Sequence, residues 1–261
     1  MLLLRQSRLL RRQMWRRARS KPDLRRIVLH VGAHKTGTTY IQQTLEANRA
    51  RLPLAFETVT RRHRHLHQLT LLAAGIRTDA DFQECRAKLA EHTKAMANRF
   101  SRVENLLITH EGLAGLMPGR ENFKGLYPMA HRILPEIVQG FEQSGAQVRV
   151  VMYQREFRDW QASLYRYRFR QTPERQYHPT RFAERAGLPG NWHDFTSRLT
   201  DALPKDCLQV VSYESDRESG LLGRSLYETL GLSSSEISSL RRLPPQNVSR
   251  PETLHDRQFE A

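Results

Sequence analysis

The segment from Gly32 to Thr39, GAHKTGTT, combines residues that could bind a phosphate group. Gly32 and Gly37 enclose a short polar loop that contains Lys35, and two threonines, Thr38 and Thr39, follow it. Backbone N–H groups of such a loop at a helix N-terminus bind phosphate oxygens. The nucleoside-triphosphate loop has the pattern G-x-x-x-x-G-K-[ST], but here Thr38 holds the lysine position and the lysine lies inside the loop. The pattern predicts a phosphate-binding loop unlike that of an ordinary ATPase or GTPase.

The segments around this loop predict the elements that position it. The apolar run at residues 27–31 is typical of a buried parallel strand, and Ile41 and Leu45, four residues apart, indicate a helix after the loop. Strands and helices alternate along the rest of the chain, which predicts an α/β fold: three layers of P-loop type, with a central parallel sheet flanked by helices. The further predicted strands are at 105–109, 148–155 and 208–213, and the further predicted helices at 81–100, 192–202 and 221–230.

A second pair of residues could bind a terminal phosphate. The apolar run that begins at Val148 ends at Arg155, and Ser163 follows eight residues later. A guanidinium and a hydroxyl bind phosphate through charge-assisted hydrogen bonds with directional specificity. Such a pair alone is common on protein surfaces, but its position after a strand and downstream of the loop favours phosphate binding.

The run HKTGTT at residues 34–39, placed after a strand, resembles the 5′-phosphosulfate-binding loop of sulfotransferases that use 3′-phosphoadenosine 5′-phosphosulfate (PAPS). The bacterial members and the Golgi carbohydrate sulfotransferases are the most similar. The resemblance implies that Lys35 contacts the oxygen that bridges phosphate and sulfate. It also implies that the loop holds the donor through its amides and threonine hydroxyls. The donor-binding residues implied in the loop are His34, Lys35, Thr36, Gly37, Thr38 and Thr39.

The same family binds the 3′-phosphate with an arginine at a strand end and a serine eight residues later, a role implied here for Arg155 and Ser163. Tyr165 fits the family pattern, whereas Glu156-Phe157 departs from its usual Asn-Pro. A fixed lysine ammonium can neutralise the leaving phosphate oxygen in sulfuryl transfer, so no metal is expected.

The general base has three candidates that the sequence leaves open. The acceptor must lose a proton as it attacks sulfur, which calls for a carboxylate or an imidazole near the transfer point. Glu111 follows the strand at 105–109 and is the first choice, because ligands bind at the carboxyl ends of such strands. Glu57 could end a strand within LAFETV, and His67 lies in the histidine-rich stretch RRHRHLHQL.

The net charge of +15 is concentrated at the N-terminus. Residues 1–26 contain ten lysines and arginines against one acid, Asp23. We predict an arm at 1–25, either a basic amphipathic helix in peripheral contact with a membrane or a solvated tail, and a single sulfotransferase-like α/β domain at 26–261. No apolar run approaches the ~18–20 residues of a membrane span, and Cys85 and Cys207 form no motif. A cytoplasmic protein is expected, with membrane association through the arm as a variant.

The expected function is PAPS-dependent transfer of a sulfuryl group to a hydroxyl or amine of a carbohydrate, glycolipid or small molecule. The alternatives are a P-loop kinase or NTPase, and a non-catalytic nucleotide-binding protein of the same fold. The aromatic and basic stretch at 160–170 also invites nucleic-acid binding, which is less favoured because the stretch overlaps the 3′-phosphate site. Asn247 and Ser249 are weak candidates for a late loop that closes over the nucleotide.

Overall fold

Five parallel strands form the central sheet of the protein, as seen in a computed structural model that describes residues 25–53, 56–60, 63–120, 123–169 and 178–244. The order across the sheet is β2-β3-β1-β4-β5, which places the first strand in the middle. The strands are β1 (Arg25–His30), β2 (Phe56–Val59), β3 (Asn105–Thr109), β4 (Ala146–Gln154) and β5 (Leu208–Ser212).

Helices cover both faces of this sheet. On β1, Ile27 and Leu29 face one apolar cluster, and Val28 faces a second cluster that includes Ile41. The period of two places successive side chains on opposite faces, so both faces of the strand are buried between layers. The helices are α1 (Thr38–Asn48), α2 (Arg64–Gly75), α3 (Asp79–Arg99), α4 (Ala130–Glu142), α5 (Phe157–Phe169), α6 (Pro179–Arg185), α7 (His193–Ala202), α8 (Tyr213–Glu218), α9 (Arg224–Thr229) and α10 (Ser234–Ser239), with a 3₁₀ helix at Glu111–Ala114.

The strand order places the loop after β1 where such sheets bind ligands. β1 pairs with β3 on one side and β4 on the other. The chain thus leaves β1 toward one edge and later continues on the opposite side. In open parallel sheets, ligands bind outside the carboxyl ends of the strands at this reversal.

The predicted α/β class, a central parallel sheet between helical layers, is confirmed. Most predicted boundaries differ from the observed ones by one or two residues, and two of the differences bear on the site. The predicted helix at 221–230 begins only at Arg224, because Leu221–Gly223 form a turn in which Gly223 has φ 101°. β2 continues to Val59, so Glu57 lies inside that strand and does not end it.

The predicted arm and the late loop fall mostly outside the described residues. Arg25, assigned to the arm, is the first residue of β1 and is buried. Residues 1–24, and Asn247 and Ser249, lie outside the described ranges. Within those ranges, no helix has the length and apolar character needed to cross a bilayer.

Candidate functional site

Both glycines of the β1–α1 loop stand where a side chain would collide. Gly37 precedes α1 with φ 83°, and a Cβ there would collide with Leu222 Cδ2. Gly32 has φ 98°, and its Cβ would lie 3.0 Å from the Cβ of Glu111. Left-handed backbone favours glycine because it has no Cβ. The two glycines therefore let the turn at Leu222 and the 3₁₀ helix at Glu111 approach the loop closely.

His34 is held through its backbone and its ring. Its N–H donates to the hydroxyl of Tyr127 at 2.9 Å, and its carbonyl accepts from Trp160 Nε1 at 2.8 Å. The Tyr127 hydroxyl also lies 2.9 Å from His34 Nδ1. Burial, and then nearby cationic side chains, lower the pKa of the His34 imidazole to about 3, and burial raises the pKa of the Tyr127 phenol. The His34 imidazole and the Tyr127 phenol are thus both neutral, and their contact holds the loop. The N–H of His34 already donates to Tyr127 and cannot also bind a phosphate.

Lys35 lies against the face of α5 that carries Ser163. Lys35 has φ 67°, and its Nζ lies 4.4 Å from the centroid of the Tyr167 ring. Trp160 and Tyr167 are seven residues apart on α5, and Ser163 lies between them at helical spacing, so all three share one face. The two outer residues contact the loop at His34 and Lys35, and Ser163 is buried on the same face of α5.

The three threonines of the loop differ in what their hydroxyls can do. Thr36 donates its hydroxyl hydrogen to the carbonyl of Ala33 at 2.6 Å, so this side chain braces the loop. Thr38 is 5% exposed, and its Oγ1 has no hydrogen-bond partner among the described residues. Thr39 is exposed in the first turn of α1. The first four N–H groups of a helix have no intrahelical acceptor, so this turn offers amides and two hydroxyls to an anion.

Arg155 directly follows β4, at the same edge of the sheet as the loop. Its guanidinium lies over the ring of Tyr213, with 5.5 Å from Cζ to the centroid. Arg155 Nη2 is 3.4 Å from Asp159 Oδ2, and Nε is 3.9 Å from Glu214 Oε1. Partly exposed pairs of this kind contribute about 0–1 kcal/mol, whereas arginine–phosphate pairs are among the stronger hydrogen bonds. A phosphate can therefore replace these carboxylates as the partner of Arg155.

Glu111 lies beside the start of the loop, because a Cβ added at Gly32 would be 3.0 Å from the Cβ of Glu111 and 3.2 Å from its Cα. Its charge also contributes to the raised pKa of Tyr127, after the larger effect of burial. The sheet register explains this position: Thr109 of β3 pairs with His30 of β1, so Glu111 comes level with Gly32.

The other two base candidates are not brought to the loop in this way. Glu57 is level with Ile27, because both pair with Leu106. Five strand residues, about 16 Å, separate that level from Gly32. Glu57 Oε1 accepts from Arg49 Nη2 at 2.6 Å, at the far end of α1. His67 is exposed on α2.

Sequence reasoning missed the aromatic side chains that hold the site. Tyr127 and Trp160 both bind His34, and Trp192 Nε1 donates to the carbonyl of Arg155 at 2.8 Å. Trp160 stood within the aromatic stretch that invited a nucleic-acid interpretation, and a buried tryptophan needs a partner for its N–H. Nothing local to Tyr127 or Trp192 signals their partners.

Comparisons with known proteins give only distant similarities. No protein-family model and no curated protein matches the chain. Among solved structures, a tunicamycin resistance protein of Deinococcus radiodurans is similar at 16% identity and a TM-score of 0.38, over 85% of this chain and 99% of that one. A structure of the PezAT chromosomal toxin-antitoxin system of Streptococcus pneumoniae is similar at 12% identity and a TM-score of 0.37, over 97% of this chain and 93% of that one. Similarity this low supports no inference about activity.

Proposed function

We propose that the protein is a PAPS-dependent sulfotransferase that transfers a sulfuryl group to a hydroxyl or amine of a carbohydrate, glycolipid or small molecule. The observation that carries this proposal is the pairing of loop and helix. Lys35, inside the loop, lies against Tyr167 of α5, the helix that also carries Ser163 and directly follows the Arg155 segment. Lys35 would bind the bridging oxygen and Arg155 the terminal phosphate, and the two residues lie in the loop and in the segment that leads into α5.

The chemistry assigns each group one task. The acceptor oxygen or nitrogen forms a bond to sulfur while the bond from sulfur to the phosphate oxygen breaks, and adenosine 3′,5′-bisphosphate leaves. The ammonium of Lys35 stabilises the negative charge that develops on that oxygen. Glu111, beside the start of the loop, takes the proton of the acceptor.

The donor nucleotide is assigned to two anion sites. The free amides of the first turn of α1 and the hydroxyls of Thr38 and Thr39 bind the 5′-phosphate, with the positive end of the helix dipole toward it. Arg155 and Ser163 bind the 3′-phosphate. Peripheral membrane contact through residues 1–25 stays a prediction, as does the absence of a metal.

The residues at the ends of the strands argue against a kinase or NTPase. Phosphoryl transfer by P-loop enzymes uses an acidic residue at a strand end to hold Mg²⁺. In the described part of the chain, the residues that directly follow the five strands are Val31, Thr60, His110, Arg155 and Tyr213. None of them is acidic.

The test is calorimetric titration of the full chain with adenosine 3′,5′-bisphosphate and, separately, with ATP and Mg²⁺. Lys35→Ala and Arg155→Ala are compared with Lys94→Ala and Arg102→Ala, which remove exposed cations on or after α3. Micromolar binding of the bisphosphate, weakened at least about 10-fold by each site variant and unchanged in the controls, supports the proposal.

A second measurement separates binding from turnover. Radiolabelled PAPS is incubated with the protein and a panel of glycan, glycolipid and phenolic acceptors, and labelled product is counted. Bisphosphate binding without transfer to any acceptor favours the non-catalytic protein of the same fold. Tight Mg²⁺-dependent binding of ATP with no preference for a 3′-phosphate contradicts the proposal and favours the kinase.

A further inference from the structure

Two tryptophans connect the two proposed phosphate sites. The rings of Trp160 and Trp192 are in contact, with centroids 4.6 Å apart. Each indole N–H donates to a backbone carbonyl at 2.8 Å: Trp160 to His34 in the loop, and Trp192 to Arg155 after β4. A single packed pair of rigid rings therefore spans from one anion-binding segment to the other.

Both acceptor carbonyls lie in irregular backbone, where no strand partner fixes them. A buried carbonyl without a donor costs free energy, so each indole N–H selects one position of its segment. Trp160 is fully buried and Trp192 is 9% exposed, which leaves neither ring room to follow a shift of the backbone. Indole has only this one donor, so the bond cannot be exchanged within the same side chain.

Trp192 is itself secured to the end of β4. The carbonyl of Trp192 accepts from Thr196 Oγ1 at 2.9 Å. The same Thr196 Oγ1 accepts from Gln154 Nε2 at 2.7 Å. Gln154 is the last residue of β4 and directly precedes Arg155. The position of the Trp192 indole is thereby set from the sheet.

We propose that Trp160 and Trp192 are positioning residues: Trp160 fixes the 5′-phosphate loop and Trp192 fixes Arg155, so that Trp192 sets the preference for a nucleotide with phosphates at both positions. This inference rests on the proposed function. Trp192 acts on the 3′-phosphate side only, through Arg155. Trp160 acts on the loop, and therefore on every nucleotide with a 5′-phosphate.

The experiment measures affinities for adenosine 3′,5′-bisphosphate and adenosine 5′-monophosphate in Trp160→Phe and Trp192→Phe, which keep an aromatic ring and lose the N–H. Trp192→Phe should weaken bisphosphate binding roughly 3- to 10-fold and leave the monophosphate within about twofold, the range expected for one lost hydrogen bond. Trp160→Phe should weaken both ligands by a similar factor, so that their ratio stays constant.

A purely structural role would not produce this difference between the two variants. Phe141→Leu, a substitution in the buried face of α4, is the control: it should lower stability and leave both affinities within about twofold. If Trp192→Phe does not fold, Thr196→Val removes the link to Gln154 and should weaken the bisphosphate alone, roughly 2- to 4-fold.

The outcomes separate this inference from the proposed function. A wild-type protein that prefers the bisphosphate, with a Trp192→Phe variant that loses affinity for the bisphosphate alone, supports the positioning role. The same wild-type preference, with a variant that keeps both affinities or loses both equally, overturns the positioning role and leaves the sulfotransferase proposal standing. A wild-type protein without the preference overturns both.

Discussion

Replacing Thr38 by valine should stabilise the protein and weaken nucleotide binding at once. The Thr38 hydroxyl is buried and has no partner in the described part of the chain. A buried hydroxyl without a hydrogen bond costs about 1–3 kcal/mol, and valine has nearly the same shape without that cost. Thr38→Val should therefore raise the free energy of unfolding by about 1–2 kcal/mol in the absence of nucleotide.

The gain in the free energy of unfolding can be measured as a rise in the melting temperature, Tm. For a domain of this size, each 1 kcal/mol shifts Tm by roughly 2–4 °C, so Tm should rise by roughly 2–8 °C. Helix propensities of threonine and valine are close, so the first turn of α1 contributes little to the difference.

Binding should change in the opposite direction. The proposed donor presents phosphate oxygens to the first turn of α1, and a hydrogen bond to a charged group contributes about 1.5–3 kcal/mol. Loss of the Thr38 hydroxyl should thus weaken adenosine 3′,5′-bisphosphate roughly 10- to 150-fold. Titration calorimetry measures this, and circular dichroism on heating measures Tm.

Thr44→Val is a matched control on the same helix. Thr44 is also buried, its hydroxyl has no partner among the residues that the structure describes, and six residues, about 9 Å, separate it from Thr38. Thr44→Val should raise Tm to a similar extent and leave nucleotide affinity unchanged. If Thr38→Val lowers Tm without nucleotide, or binds the bisphosphate as tightly as wild type, the assignment of this hydroxyl to the phosphate is refuted.

Three further substitutions test separate parts of the structure. Lys35→Ala should slow sulfuryl transfer by about 100- to 1,000-fold in single-turnover assays and weaken bisphosphate binding much less, because the ammonium acts mainly on charge formed in the transition state. Equal losses of transfer rate and bisphosphate affinity would argue against that role. Burial lowers the pKa of His30 from 6.5 to about 3, so the folded protein should lose stability as the pH falls from 6.5 toward 3. His30→Asn should reduce that loss by up to about 1.4 kcal/mol per pH unit, as urea midpoints at several pH values would show. Asp216 accepts from the hydroxyls of Tyr153 at 2.6 Å and Ser225 at 2.5 Å. Asp216→Asn should lower the free energy of unfolding in urea by about 3 kcal/mol. A loss below about 1 kcal/mol would contradict the role of this carboxylate.

The parts of the fold that the sequence predicted are those in which pattern and contact are both local. β1, the loop and α1 form one contiguous run, and the apolar positions Ile27 and Ile41 are buried as their spacing indicates. β3 was predicted with its observed bounds, since its apolar run is flanked by polar residues on both sides. The turn at Leu221–Gly223 was misjudged because its leucines fit a helical period, although Gly223 adopts a left-handed conformation there.

The contacts that shape the site could not be predicted, because they join residues far apart in the chain. Leu222 lies against Gly37 only after the chain has added β5 and α8 at the edge of the sheet. Tyr127 reaches His34 across 93 residues, and Trp160 reaches it across 126. No local period encodes such pairs, so the motif predicts which residues could bind phosphate, whereas packing decides which of their groups are free to do so.

The choice among the base candidates shows why register carries information that spacing lacks. The sequence favoured Glu111 because it follows a predicted strand, but without the register it could not show how far Glu57 lies from the carboxyl end of the sheet. Pairing through Leu106 places Glu57 beside Ile27, inside the sheet, while pairing of Thr109 with His30 carries Glu111 to the level of Gly32. A base must come within hydrogen-bond reach of the acceptor at the transfer point. The register therefore favours Glu111 on geometry alone, before any argument about its acidity.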